Sequence, residues 1–306
     1  MYSCPNCKQL LYIDKNKNKF LQCINVNCNS NLKKFPIYNN VPFLIPYGNK
    51  YCIFQESEKK FFQNLGIKKR NYSSKNEKLK RDLRNFFMGK NSITEKNFRY
   101  LLGNLESKSK VLIVGGGSIG SGSEYFFSQC KKMRINISSI DIYLSDNVSA
   151  IADAHYLPFE SETFELVIIQ AVLEHVINPN KVVNEIFRVL KKGGIIYSET
   201  PFMQCIHEGP FDFNRYSHSG HRWLLKRFEE IYSGNVGGAF TSSLFIISYS
   251  LSGLFRIRQI GLILRIIFSR ICKVLDHLND PKSNFDIACG FYFIGKKTEK
   301  LIEEEF

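Results

Sequence analysis

Four cysteines open the chain in two close pairs, Cys4-Pro5-Asn6-Cys7 and Cys23-Ile24-Asn25-Val26-Asn27-Cys28. Each pair fits on a tight knuckle, and four thiolates brought together this way suit tetrahedral zinc. Full thiolate ligation leaves no open position for water, so the expected metal is structural. A second set of residues begins where the apolar run Val111-Leu112-Ile113-Val114 enters Gly115-Gly116-Gly117-Ser118-Ile119-Gly120. Gly115, Gly117 and Gly120 let the backbone turn sharply and approach a ligand. Asp141 follows 24 residues after Gly117, where a carboxylate can accept hydrogen bonds from both hydroxyls of a ribose. Four of the six histidines, His175, His207, His218 and His221, fall between 175 and 221. Near His207 stand Glu208, Asp212 and Arg215 among Phe202, Phe211, Phe213 and Tyr216, a mixture that can orient a polar ligand. Histidine is the usual base near neutral pH. His207 and His175 are therefore the candidate bases, with Glu208 and Asp212 as their orienters.

Repeated strand–loop–helix units would position these groups. The glycine loop follows one strand, and Asp141 ends the next within Ile140-Asp141-Ile142. Ala152-Asp153-Ala154 comes after it, and Phe164-Glu165-Leu166-Val167-Ile168-Ile169 closes with Gln170-Ala171. Leu173-Glu174-His175-Val176 reads as a helix start and Leu190-Lys191-Lys192-Gly193-Gly194 as a turn. In this order the motifs resemble the class I S-adenosylmethionine-dependent methyltransferases, densely over about 90 residues. The resemblance implies that the glycine loop passes under the methionine part of S-adenosylmethionine, with Asp141 on the ribose. It also implies that Asp153 and Ala154 lie at the adenine and that Gln170 and Ala171 line the methionine end. Two positions depart from the family pattern. Ile113 stands where an acid is usual, and Gly120 falls one place after the usual third glycine. A nicotinamide-binding domain would use the same glycines, but the Leu-Glu-His-Val and Leu-Lys-Lys-Gly-Gly motifs argue against it.

The expected fold is α/β, with a Rossmann-like seven-stranded, mostly parallel sheet whose last strand, near 288–295, is antiparallel. Residues 1–48 form the zinc ribbon, 49–108 a basic helical connector, and 109–306 the S-adenosylmethionine domain. The stretch 34–46 resembles the tail of small zinc-ribbon proteins that act as methyltransferase activators. Residues 10–13 and 19–22 are the strands that hold the two knuckles apart. In the connector, Phe54, Phe61, Phe62 and Leu65, then Leu79, Leu83, Phe86 and Phe87, recur at helical spacing. Two or three helices covering one sheet edge are expected there.

The net charge of +14 is unevenly distributed. Residues 1–110 hold 22 Lys and Arg against 7 Asp and Glu, and residues 111–306 hold 20 against 21. A basic front end can face nucleic acid, anionic lipid or acidic glycans, or simply keep a surface soluble. Hydrophobic content of 44% excludes a disordered chain. Nine cysteines without a signal-peptide pattern point to a reduced, cytoplasmic setting. An uncharged stretch from 231 to 255 begins an apolar helical insertion at about 240–280, with arginines at intervals beyond it. Burial within the protein is its first reading, and peripheral contact at the inner membrane face through 240–270 is the second. From Glu199-Thr200-Pro201-Phe202 through His218-Ser219-Gly220-His221 to the last strand, the chain resembles bacterial methyltransferases of cell-surface sugar pathways. That likeness implies O-methylation of a carbohydrate-like acceptor or glycan precursor. An RNA methyltransferase using the basic half, and a catalytically silent scaffold lacking the acid at 113, are the competing readings.

Overall fold

Two sheets organise the chain in the computed structural model, which describes residues 2–13, 20–28, 34–38, 40–46, 91–117, 123–207 and 211–298. The larger sheet has seven strands in the order β10-β11-β9-β8-β5-β6-β7. Its centre is β5 (Lys110–Val114) beside β8 (Phe164–Gln170), paired in parallel. Both are near-continuous apolar runs, as strands covered on both faces must be. The twofold strand period divides β5 between two cores. Val111 and Ile113 pack on one face with Phe98 and Phe126, while Leu112 and Val114 join Val182, Val183 and Ile186 on the other. The first face is covered by α1 (Ser92–Leu102) and α2 (Glu124–Lys132), the second by α3 (Pro179–Val189). The Asn91 side chain caps α1 by accepting from Thr94 N at 3.2 Å.

Outward from the centre run β6 (Asn136–Asp141) and β7 (Ala150–Ile151) on one side, and β9 (Leu190–Pro201) on the other, all parallel to their neighbours. The last strand, β11 (Gly290–Lys296), is antiparallel to both β9 and β10 (Glu229–Val236). Strand order reverses between β5 and β8, so the crevice at their C-terminal ends is where open α/β sheets take ligands.

The smaller sheet is the N-terminal ribbon, with strands β1 (Tyr12–Ile13), β2 (Phe20–Gln22), β3 (Lys34–Tyr38) and β4 (Val41–Pro42) in that order. Its tail covers the edge of the larger sheet. Phe43 bridges Ile151 in parallel, and Leu44 N donates to Ile151 O at 2.8 Å. Ser3 N donates to Pro158 O, and Lys8 pairs with Glu185 at 2.7 Å. Covering β7 this way removes an exposed edge.

Three local expectations change. The Leu-Lys-Lys-Gly-Gly segment is the start of β9, not a turn. A register shift between Phe164 and Leu166 absorbs the extra residues, and Gly193 supplies a φ of +75°. Gly193 N donates to Lys297 O, and Lys297 N donates to Gly194 O, each at 2.8 Å. Leu-Glu-His is a 3₁₀ turn rather than a helix start. Helix α3 starts at Pro179, where Asn178 accepts from Lys181 N and proline needs no donor partner. Burial of the apolar insertion is corrected too. It is a hairpin of α5 (Ala239–Leu254) and α6 (Arg258–Leu278), in which Gly261 and Ser269 are the only buried residues of α6. Ser248 and Ser252 meet Gly261 across the seam. Small residues thus take up the tightest contact, and many large apolar side chains, Ile246, Ile247, Leu254, Ile263 and Ile267 among them, are exposed. The helix α4 (His218–Leu224) precedes β10, and α7 (Pro281–Asp286) follows the hairpin. The helices expected between 50 and 90 lie outside the described residues.

Candidate functional site

At the crevice, a cavity of about 160 Å³ is lined by Phe98, Ile113, Gly115, Gln170, Ala171 and Glu199, among others. Gly115 has a φ of +78°, and a Cβ there would lie 2.2 Å from Val172 Cγ2. Only glycine satisfies that turn. Ala171 also sits in the left-handed region, at φ +53°. That conformation is costly for alanine, and its N–H is fixed on Glu199 O at 2.9 Å. Gln170 and Ala171 therefore stand on the cavity wall, as does Ile113. Gly120 and Glu208 lie outside the described residues.

Asp141 ends β6 with its carboxylate turned to the glycine loop. It accepts from Gly117 N at 2.8 Å through one oxygen and from Tyr143 N at 2.9 Å through the other. Asp153 is buried and faces inward. One of its oxygens accepts from His155 N at 2.9 Å and lies 2.6 Å from His155 Nδ1. Since His155 Nε2 accepts from Asn178 N at 3.2 Å, the ring proton belongs on Nδ1. Ala154 is buried in the same short turn.

Glu199 was not singled out from the sequence. Its Oε2 accepts from Tyr197 Oη at 2.5 Å, Thr94 Oγ1 at 3.0 Å and Gln170 Nε2 at 3.1 Å. Burial raises its pKa, and these donors counter part of the rise. The carboxylate faces the same cavity as Ile113. A charge ending the apolar strand Ile195-Ile196-Tyr197-Ser198-Glu199 was the available signal.

The four clustered histidines separate into two pairs. His221 is buried against Ser198 Oγ at 2.8 Å, and His218 bonds Ser233 Oγ at 2.7 Å, so both fasten α4 to the sheet. His175 and His207 meet at the C-terminal edge of the sheet, Nε2 to Nε2, at 3.2 Å. His175 Nδ1 lies 2.6 Å from Phe211 O. A carbonyl only accepts, so Nδ1 carries the proton and Nε2 presents a lone pair. Glu174, absent from the sequence-based site, lies beneath them. It is 0% exposed, and its Oε1 is 3.7 Å from His175 Nε2 and 3.6 Å from His207 Nε2. Neither carboxylate oxygen has a hydrogen-bond partner among the described residues. Glu174, with Asp212 adding to it, raises the pKa of His207. Burial would raise Asp212, but Arg215 grips its carboxylate from both nitrogens and His207 N donates at 3.0 Å, so its pKa falls below the usual range. Arg215 thereby locks Asp212 in place beneath His207.

In the ribbon the four expected ligands converge. Cys4 and Cys28 Sγ are 3.8 Å apart, Cys7 and Cys23 Sγ are 3.6 Å apart, and all four lie within 4.8 Å of one another. Zinc–sulfur bonds of about 2.3 Å in a tetrahedron require sulfurs roughly 3.8 Å apart. The cluster fits that ion.

Residues 117–198 match the family model of the methyltransferase domain. The match runs from the end of the glycine loop into β9 and includes Asp141, Gln170 and Ala171, stopping one residue before Glu199. No curated protein matches the chain. Among solved structures, a Haemonchus contortus phosphoethanolamine N-methyltransferase 2 in complex with S-adenosyl-L-methionine is similar at 15% identity. That alignment covers 78% of this chain and 60% of the other, with a TM-score of 0.46. A SAM-dependent methyltransferase from Archaeoglobus fulgidus aligns at 15% identity over 70% of this chain and 97% of its own, with a TM-score of 0.43. The [4+2]-cyclase SpnF aligns at 15% identity over 67% and 80%, with a TM-score of 0.41. These likenesses concern the arrangement of elements alone.

Proposed function

We propose that this chain is an S-adenosylmethionine-dependent methyltransferase acting on a hydroxyl of a carbohydrate-like acceptor. The observation carrying this reading is the cavity at the β5/β8 crevice, with Glu199 in its lining, Asp141 ending the next strand β6, and the Glu174–His175–His207 cluster on the same sheet edge. S-adenosylmethionine, when bound, supplies an electrophilic methyl group on a sulfonium. Asp141 would hold the ribose hydroxyls, and the backbone at Gly115 and Gly117 would lie under the methionine part. Glu199 takes over the task of the acid absent at Ile113, accepting the cofactor's ammonium group. Gln170 holds that carboxylate and shapes the wall beside Ala171. His175 and His207 would assist loss of the acceptor's proton, with Asp212 fixing His207 through its backbone N–H. The two acids, the arginine and the paired imidazoles around this edge suit an acceptor rich in hydroxyls.

The ribbon cysteines are proposed to hold one structural zinc. The exposed hairpin is proposed to rest on the inner face of a membrane, its apolar side chains in the interface and Arg256, Arg258, Arg265 and Arg270 at anionic head groups. No helix among the described residues is long and apolar enough to cross a membrane. Transfer of labelled methyl from cofactor to glycan, lipid-linked sugar and RNA fractions tests the acceptor class. Label in a sugar fraction, falling at least about 100-fold in His207→Ala, is expected from the usual worth of a proton-transfer residue. Label entering RNA alone would refute the sugar reading.

A further inference from the structure

Beyond the ribbon, the cluster at the sheet edge has the composition and spacing of a second metal centre. Glu174 Oε1, His175 Nε2 and His207 Nε2 form a triangle with sides of 3.2, 3.6 and 3.7 Å. The point equidistant from all three lies about 2.0 Å from each, the length of a zinc–nitrogen or zinc–carboxylate bond. Tetrahedral ligands at about 2.1 Å stand roughly 3.4 Å apart, whereas adjacent octahedral ligands stand roughly 3.0 Å apart. The mean side here, about 3.5 Å, favours the tetrahedron.

We propose that Glu174, His175 and His207 bind a divalent transition-metal ion of the zinc class, with a fourth position open to a hydroxyl oxygen of the acceptor. Three features make the cluster more than a hydrogen-bonded knot. Among the described residues the fully buried Glu174 carboxylate has no hydrogen-bond partner on either oxygen and only the two imidazoles beside it, and a buried charge is unfavourable unless closely paired or bound to a metal. The imidazoles stand 3.6 and 3.7 Å from it, beyond hydrogen-bond length. Each ring also has an outer partner of the kind that orients metal-bound histidines. His175 Nδ1 donates to Phe211 O, and His207 Nδ1 lies 3.5 Å from Asp212 Oδ2, itself gripped by Arg215. Two His and one Glu with a free fourth position is a catalytic ligand set, in contrast to the closed set of thiolates in the ribbon.

The ion's catalytic use rests on the methyltransferase reading, but its presence does not. Held at the open position, an acceptor hydroxyl would lose its proton to water more readily, and the O–H electron pair would form the bond to the methyl carbon as the carbon–sulfur pair returned to the sulfonium sulfur. The test is a calorimetric zinc titration of the full chain whose ribbon already carries one zinc, with metal content measured alongside. A second equivalent is expected in the wild type. His207→Ala, which removes a half-exposed ligand, should weaken it at least 100-fold, at or beyond the limit of the 10–100-fold that outer-shell changes cost. Glu174→Gln should do the same with its shape kept. A wild type that takes up no second equivalent would overturn the proposal, as would undiminished uptake in both variants. Titration with S-adenosylhomocysteine on the same preparation separates the two readings. Loss of that binding alone would remove the methyltransferase reading and leave the metal site standing.

Discussion

Asp141, His175 and His207 stand out as candidates in the sequence because their types and spacing carry meaning along the chain. Glu199 and Glu174 were not, because their roles come from contacts across the fold. Thr94 reaches Glu199 over 105 positions of sequence, and His207 reaches His175 over 32. No periodicity announces either contact. His221 shows the converse, since its motif looked chemical and its surroundings are structural. Burial drives its pKa down to about 3, from an ordinary 6.5. Below pH 6.5 the unfolded chain therefore takes up a proton that the native chain refuses. Its stabilising contribution is complete above that pH and is lost as pH falls toward 3, by up to about 1.4 kcal/mol per pH unit. Denaturant unfolding between pH 6 and 4 should show this slope in the wild type. His221→Leu should be less stable at pH 7, having lost the Ser198 contact, but should show a shallower acid slope. An unchanged slope in the variant would mean that His221 is not responsible.

Among the elements, the central strands were legible because β5 and β8 are apolar runs flanked by glycine and polar turns. The antiparallel β11 was legible for the same reason. The hairpin of α5 and α6 was misjudged, since an apolar composition does not reveal which face meets the partner helix. Ser248, Ser252, Gly261 and Ser269 form the seam, so Ile246, Ile247, Leu254, Ile263 and Ile267 remain exposed. Asp276 secures the hairpin from its far end, accepting from Gly238 N and Phe240 N at the start of α5. A rigid hairpin with apolar side chains outward and arginines among them should bind vesicles containing anionic lipid. Cosedimentation should detect this, and it should weaken in high salt, which screens the arginines. Ile263→Glu with Ile267→Glu should abolish it without unfolding, because both side chains are about half exposed. Absence of vesicle binding by the wild type would leave the hairpin to another partner.

At the scale of the molecule, the ribbon and the seven-stranded sheet form a continuous structure. The Lys8–Glu185 pair and the Leu44–Ile151 hydrogen bond join them. The convergence of the four ribbon cysteines was legible from their spacing, but the ribbon's docking on β7 was not, because Phe43 and Ile151 are distant in sequence. A ribbon this small has little core of its own, so the proposed zinc should hold its strands in place. Cys23→Ser should release zinc and increase hydrogen exchange in both the ribbon and β7. Exchange at β7 that stayed at the wild-type rate would show that the edge does not depend on the ribbon. The β5/β8 crevice is proposed to bind S-adenosylmethionine through acids from β6 and β9. Calorimetry of the full chain tests it most directly. One molecule of S-adenosylmethionine per chain is expected, with Asp141→Ala and Glu199→Gln each weakening binding by about 1.5–3 kcal/mol, the worth of hydrogen bonds to a charged group. A wild-type chain that binds none, or tight binding that neither substitution alters, would contradict the account.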